Sequence, residues 1–193
     1  IRKVSQHKNF SIAISGPPLA GSSTVGKFIA SILDFKFISL GEIYRKKIKT
    51  GKSIDQALEV LKSKKIIKEM KRIDKKISNV TAKGGIVLDG KVSIFLTRNF
   101  KNVFKIYLSC NFKERVKRGS KKDKVKLSLF EKKLKEVERL EKKLFLNLYN
   151  INYRNYQRKI ADCYCKNYDF NKTIFQILFK FSKWITLYHH KIF

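Results

Sequence analysis

Residues 10 to 33 read FSIAISGPPLAGSSTVGKFIASIL, and this stretch restricts the fold more than any other part of the chain. The short apolar run from Phe10 to Ser15 has the outline of a buried strand, and it stops at Gly16-Pro17-Pro18. From Ser22 onward Val25, Phe28, Ile29, Ile32 and Leu33 recur at helical spacing. A strand, a loop with two glycines and a helix, in that order, is the setting in which a phosphate-binding loop works. Gly16 allows the sharp exit from the strand, and Gly21 lets the backbone approach phosphate oxygens without a Cβ in the way. The amides of residues 19 to 24 point at the anion from the start of the helix, whose dipole adds to the attraction. The candidate phosphate-binding residues are Gly16, Pro17, Pro18, Leu19, Ala20, Gly21, Ser22, Ser23 and Thr24, and the Ser23 hydroxyl is also placed to meet Mg²⁺. Ser22 stands where such loops usually carry lysine. A plain strand-to-helix turn capped by Ser22 or Ser23 is the blander reading; the strand before and the hydroxyl triplet after favour the phosphate loop.

The remaining pattern repeats the alternation of strand and helix. "FKFISL" (35–40), "IVLDG" (86–90), "VFKIYLSC" (103–110) and "ADCYC" (161–165) read as further strands. Residues 41–49 look helical, 51–84 look like two basic helices, 112–148 carry long helical patterns, and 172–188 form a final amphipathic helix. The expected architecture is a three-layer α/β fold with a mostly parallel five-stranded sheet covered on both faces. Without repeats or a Pro/Ser-rich linker, residues 1–193 are expected to be one domain, with helical insertions at about 41–83 and 113–150.

Charge is the anomaly. Lys and Arg number 45 against 15 Asp and Glu, a formal net charge of +30. Such a balance concerns partners and solubility, and it points to polyanions: nucleotides, RNA or an anionic surface. A genome favouring Lys, Ile, Asn and Phe gives the same composition. Three cysteines are too few for a disulfide scaffold, and their odd number predicts a reducing compartment. That is the cytoplasm, or an organelle matrix if a leader once preceded Ile1. Cys163 and Cys165 lack a second Cys/His pair, so zinc is not expected; their alternation suits the two faces of a strand. His189 and His190 read as surface residues. No run of about 18 apolar residues is present, so no membrane span is expected.

The loop resembles that of the archaeal-type cytidylate kinases, roughly Ser-Gly-x-Pro-Gly-x-Gly-Thr-Thr-Thr, in which a hydroxyl residue already replaces the lysine. Leu19 departs from it, standing where that family has glycine. "FKFISLGEIYRK" resembles "FVSAGEIFRE", which implies that Arg45 grips the acceptor phosphate. "KRIDKKI" resembles "EIDRRQ", implying that Asp74 accepts the cytosine amino group. "GGIVLDGK" resembles "VVLEGR"; Asp89 would then hold the Mg²⁺ water shell and Lys91 would touch the acceptor nucleotide. "ERVKRGSKKD" resembles "RAERIAKREG", which assigns Arg115 and Arg118 to the lid as catalytic cations. "LYNIN" looks like "IYGID", and Asp162 matches the Asp of "YDLVI". The resemblance covers roughly residues 10 to 180 and implies a P-loop nucleoside monophosphate kinase, using ATP and Mg²⁺ to phosphorylate CMP or dCMP; a monomer is expected.

The second lid helix departs from that family. Its pattern "REESEAKRY" is "VERLEKKLF" in this chain, with Val137 and Leu144 replacing two arginines. Arg139 is the remaining candidate lid cation, one or more positions off. Since each helical position turns the side chain by about 100°, a neighbouring arginine points elsewhere. A second reading therefore stands beside the first: a kinase-fold protein with weakened catalysis, binding RNA or a ribosome through lysine runs at 62–76, 113–126 and 132–143.

Overall fold

The computed structural model describes residues 9–189, of which the side chains of Tyr188 and His189 are excepted. The His189 and His190 expectation lies outside the described residues. Five strands form the sheet: β1 (Ser11–Ser15), β2 (Lys36–Ser39), β3 (Ile86–Asp89), β4 (Val103–Ser109) and β5 (Cys163–Lys166). Their order is β2-β3-β1-β4-β5, and each adjacent pair is parallel. The helices are α1 (Ser22–Leu33), α2 (Leu40–Lys47), α3 (Ile54–Lys62), α4 (Lys64–Thr81), α5 (Ser93–Leu96), α6 (Phe112–Asp123), α7 (Leu127–Tyr149), α8 (Tyr153–Ile160) and α9 (Phe170–His189).

The two faces of β1 show how the layers form. Ile12 and Ile14 face α1 and α9 in one core cluster, together with Val87, Phe104 and Leu108. Ala13, between them, faces the other way onto Ile94 and Tyr107. This is the period of two that a buried strand imposes. On the α9 side, Phe181 and Trp184 pack at a tilt against Phe10 and Phe104. Cys163 and Cys165 follow the same rule: they share one face with Sγ atoms 3.3 Å apart, and they do not take opposite faces as expected. Residues two apart on a strand point the same way. All three cysteines are free and buried.

Two elements escaped the sequence pattern. Helix α5 has four residues, too few for a period to register, and α8 is built from YRNYQRKI, which is mostly polar. Among the described residues no helix is long and apolar enough to cross a membrane.

The two insertions meet above the carboxyl ends of the strands. Ile54, Ala57, Leu58 and Leu61 of α3 pack with Val116 of α6 and with Phe130, Leu134 and Val137 of α7 in one apolar cluster. Gly119 makes the α6–α7 contact possible, because a Cβ there would collide with the Phe130 ring. Phe130 is 1% exposed and has no room to retreat. Gly119→Ala is therefore expected to cost about 1–3 kcal/mol by overpacking, read as a lower urea midpoint. Its coupling with Phe130→Leu, in a double-mutant cycle, should recover much of that loss.

Candidate active site

The loop after β1 has the geometry of an anion cradle. Gly21 caps α1 with φ +92°, and neither a side-chain cap nor an acidic residue occupies the first turn. By contrast α2, α3, α4 and α6 receive caps from Ser39, Ser53, Ser63 and Asn111. The first amides of a helix have no carbonyl partner within it, so those of Ser22, Ser23 and Thr24 face the cavity for a ligand. A turn closed by Ala20 N–H donating to Pro17 O shapes the approach (3.1 Å). Leu19 adopts φ +64°, the left-handed region where glycine is at ease and other residues lose roughly 1–2 kcal/mol. Its side chain turns away into the cluster of Val116, Phe130 and Val137, reaching the space beside Gly119. Leu19 thus keeps the backbone path of a glycine and ties the loop to the roof.

Register places an acid beside this cradle. Asp89 pairs across the sheet with Ile14, two residues before Gly16. Its Oδ2 accepts hydrogen bonds from Ser23 Oγ (2.6 Å) and Ser39 Oγ (3.4 Å). Burial pushes its carboxyl above the ordinary range, against the pull of Ser23, Ser22 and Lys91. Among the described residues no group of three His, Cys, Asp or Glu side chains could hold a metal alone. One carboxylate with serine hydroxyls suits a hard cation that takes its other oxygens from water and phosphate.

A cavity of about 430 Å³ opens between the loop, α2, α3, α7 and the end of β3. All the loop residues but the buried Ala20 line it, as do Arg45, Asp89, Lys91, Ile54, Phe130, Val137 and Glu141. Burial pulls the Arg45 guanidinium below its usual value, with Glu42 and Asp89 opposing. Among the described residues no carboxylate lies within ion-pair reach of Arg45. A half-buried, unpaired guanidinium at a cavity wall suits a dianionic ligand.

The lid cations sit elsewhere. Arg115, 5% exposed, donates through Nη1 to Pro18 O (3.1 Å) and Glu138 (2.6 Å) and through Nε to Cys110 O. Arg118 donates to Glu114 and to Asn167 O (3.0 Å), and the Asn167 amide in turn donates to Ala20 O (2.7 Å). Three positions apart on α6, the two arginines share a face, and that face braces the outside of the loop. Arg139 is paired with Glu136, its side chain 64% exposed, and it does not line the cavity. Val137 takes its place in the roof, and Leu144 is buried in another cluster.

Asp74 is drawn away from the cavity. It is 1% exposed, and Tyr44 and Tyr149 each donate a hydroxyl to one of its oxygens. Neither of its helical neighbours Lys71 and Lys75 pairs with it, though both line the same outer groove. Burial raises its carboxyl above the ordinary value, against the two tyrosine bonds. A carboxyl so raised contributes stability below its unfolded value, about 3.9, that is lost as pH climbs through the folded one. Asp74→Asn, which stays neutral, should therefore gain stability relative to the wild type as pH rises from about 3 to 7. Urea midpoints across that range check this; a difference that stays flat or moves the other way refutes it.

Four residues of the site gave little sequence warning. Glu141 Oε1 lies 3.6 Å from Lys91 Nζ, and its Oε2 accepts from Tyr153 Oη (2.6 Å). Arg154 Nη2 lies 3.0 Å from Glu138 and 3.6 Å from Glu141. Gln157, fully buried, donates to Lys91 O (2.6 Å) and accepts from the amides of Ile94 and Phe95. Asn167 is the fourth. Glu141 alone carried a signal: Phe130, Leu134, Val137, Leu144 and Phe145 form the buried stripe of α7, and Glu141 sits within it.

Residues 11–170 match the model of the cytidylate kinase-like family. A cytidylate kinase of Pyrobaculum calidifontis is 28% identical over 148 residues, 75% of this chain and 77% of that one. One of Methanocaldococcus jannaschii is 27% identical, over 72% of this chain and 79% of its own. Among solved structures, shikimate kinase from Acinetobacter baumannii superposes with a TM-score of 0.56 at 19% identity, over 89% of this chain and 92% of that chain. Shikimate kinase from Aquifex aeolicus gives 0.55 at 18%, over 90% and 97%. These structures share the α/β P-loop fold.

Proposed function

Because the chain belongs to the cytidylate kinase-like family, we propose that this kinase moves the γ-phosphoryl group of ATP to CMP or dCMP. The carrying observation is the convergence, in one cavity, of the uncapped α1 terminus, the Asp89 carboxylate and the unpaired Arg45. Phosphoryl transfer asks the protein for positioning and charge more than for covalent chemistry. The amides of Ser22, Ser23 and Thr24 hold the donor phosphates, while Arg45 grips the acceptor phosphate with a fork of donors. Asp89 and Ser23 would hold Mg²⁺, which would supply neutralisation of phosphate charge when bound. Ile54, Phe130 and Val137 roof the cavity and keep water from competing with the acceptor. Arg115 and Arg118 keep the loop in shape from outside. The family match and the cavity both favour the kinase over the RNA or ribosome alternative, which no finding supports.

An ADP-release assay with ATP, Mg²⁺ and each of CMP, dCMP, UMP and AMP tests this. Turnover on CMP or dCMP above roughly 1 s⁻¹ is expected, the low end of ordinary enzymes. No turnover with any acceptor, from folded protein that binds ATP, would sink it. Arg45→Ala should raise the acceptor KM by about tenfold or more, and the KM for ATP far less, because the lost hydrogen bonds are charged ones.

A further inference from the structure

Charge developing on the transferred phosphoryl group needs a cation aimed at it. Two places that could supply one do not: Ser22 stands at the lysine position of the loop, and α7 offers the cavity Phe130, Val137, Glu141 and Phe145. The cavity wall does contain other cations. Lys27 and Lys52 are drawn to Glu42 (4.0 and 2.6 Å), and Lys122 to Asp123 (3.6 Å) and the Lys52 carbonyl. Arg45 faces the acceptor side. Lys91 differs from all of these, since its Nζ donates to the carbonyl of Gly16 (3.3 Å), the first residue of the phosphate loop.

Its root is fixed as tightly as its tip. The Lys91 carbonyl accepts from Gln157 Nε2 (2.6 Å) and Ser15 Oγ (3.1 Å). Glu141 then sets where the ammonium rests. Its carboxylate is 4% exposed and lies in the apolar stripe of α7, a costly place for a charge unless it is paired. Every polar neighbour found for it is a donor: Tyr153 Oη, Arg154 Nη2 and Lys91 Nζ. This carboxylate turns Lys91 towards the loop instead of letting it extend to solvent.

We propose that Lys91 is the cation that meets the transferring phosphoryl group, in place of the loop lysine absent at Ser22, and that Glu141 is its positioning residue. The proposal rests on the kinase reading of the same site. It also differs from the expectation that Lys91 touches the acceptor nucleotide.

The test compares the wild type with Lys91→Met, Lys91→Arg, Glu141→Gln and the double variant Lys91→Met/Glu141→Gln, which leaves no orphaned buried charge. Each is titrated with ATP, ADP and CMP and assayed for turnover. The expected result for Lys91→Met is at least a tenfold loss of ATP affinity, a smaller loss for ADP, CMP binding within about twofold, and kcat down about 10²-fold or more. Lys91→Arg should recover at least tenfold of that kcat. Glu141→Gln, which keeps a partner for Tyr153, should lower kcat with CMP binding unchanged. The double variant should repeat the ATP-over-ADP loss even if Lys91→Met fails to fold. Weakened CMP binding with ATP and ADP unaffected would overturn the proposal. So would equal losses for ATP and ADP. A wild type that releases no ADP would sink the kinase reading alone, and the ATP-against-ADP difference would still decide the role of Lys91.

Discussion

Replacing Asp89 with asparagine is expected to cut phosphoryl transfer by about 10²-fold, the upper range for loss of a residue that orients a metal's shell, while the fold holds or gains stability. The asparagine keeps the size of the side chain and an acceptor for Ser23 Oγ–H, so the β3 terminus stays in register. It removes a buried carboxylate whose proton affinity burial has raised, which means that the folded protein carries that charge at a cost. Activity and stability should therefore move in opposite directions. Turnover across a Mg²⁺ series and thermal unfolding on the same samples check both halves. Unchanged turnover at low Mg²⁺ would remove Asp89 from the metal site, and a lower midpoint would mean that the carboxylate stabilises the fold.

Gly21→Ala is expected to damage both the fold and nucleotide binding. The φ of +92° costs a residue with a Cβ roughly 1–2 kcal/mol. The new methyl would also collide with the Asn167 amide, which holds Ala20 O and carries the Arg118 contact behind it. Overpacking of that kind adds about 1–3 kcal/mol. Relief requires α1 to shift, which turns the Ser22 and Ser23 amides off the phosphates. An unfolding midpoint lowered by this amount and ATP affinity down tenfold or more are the expected readings. Tight ATP binding by the alanine variant would show that the loop does not hold the phosphates in this form.

Much of the fold was legible because its signals are local. The β1–loop–α1 unit, the five strands and the long helices follow from apolar period and from glycine and proline punctuation. The loop positions Gly16, Gly21 and Ser23 carry the same local signals, whereas Asp89 was pointed to by the family resemblance, and the parallel sheet sets it beside the loop. Helices α5 and α8 were not, one being too short for a period and the other too polar. Arg115 and Arg118 were expected as catalytic lid cations, and the turn of their guanidinium groups to Pro18 and Asn167 was not legible. Asp74 read as a ligand-facing acid until Tyr149, 75 positions away, came to cover it.

The sequence by itself determined a three-layer α/β chain with a phosphate loop whose lysine is missing, because spacing and backbone chemistry within about 25 residues suffice for that. The tertiary structure alone decided which cations serve the loop and which only brace it. Arg115, Arg139 and Lys91 carry the same kind of charge. Their roles diverge because Glu138 and Pro18 hold the first, Glu136 on the exposed surface the second, and Glu141 with Gly16 the third. An ion pair is a contact between distant parts of the chain, and only folding selects its partner.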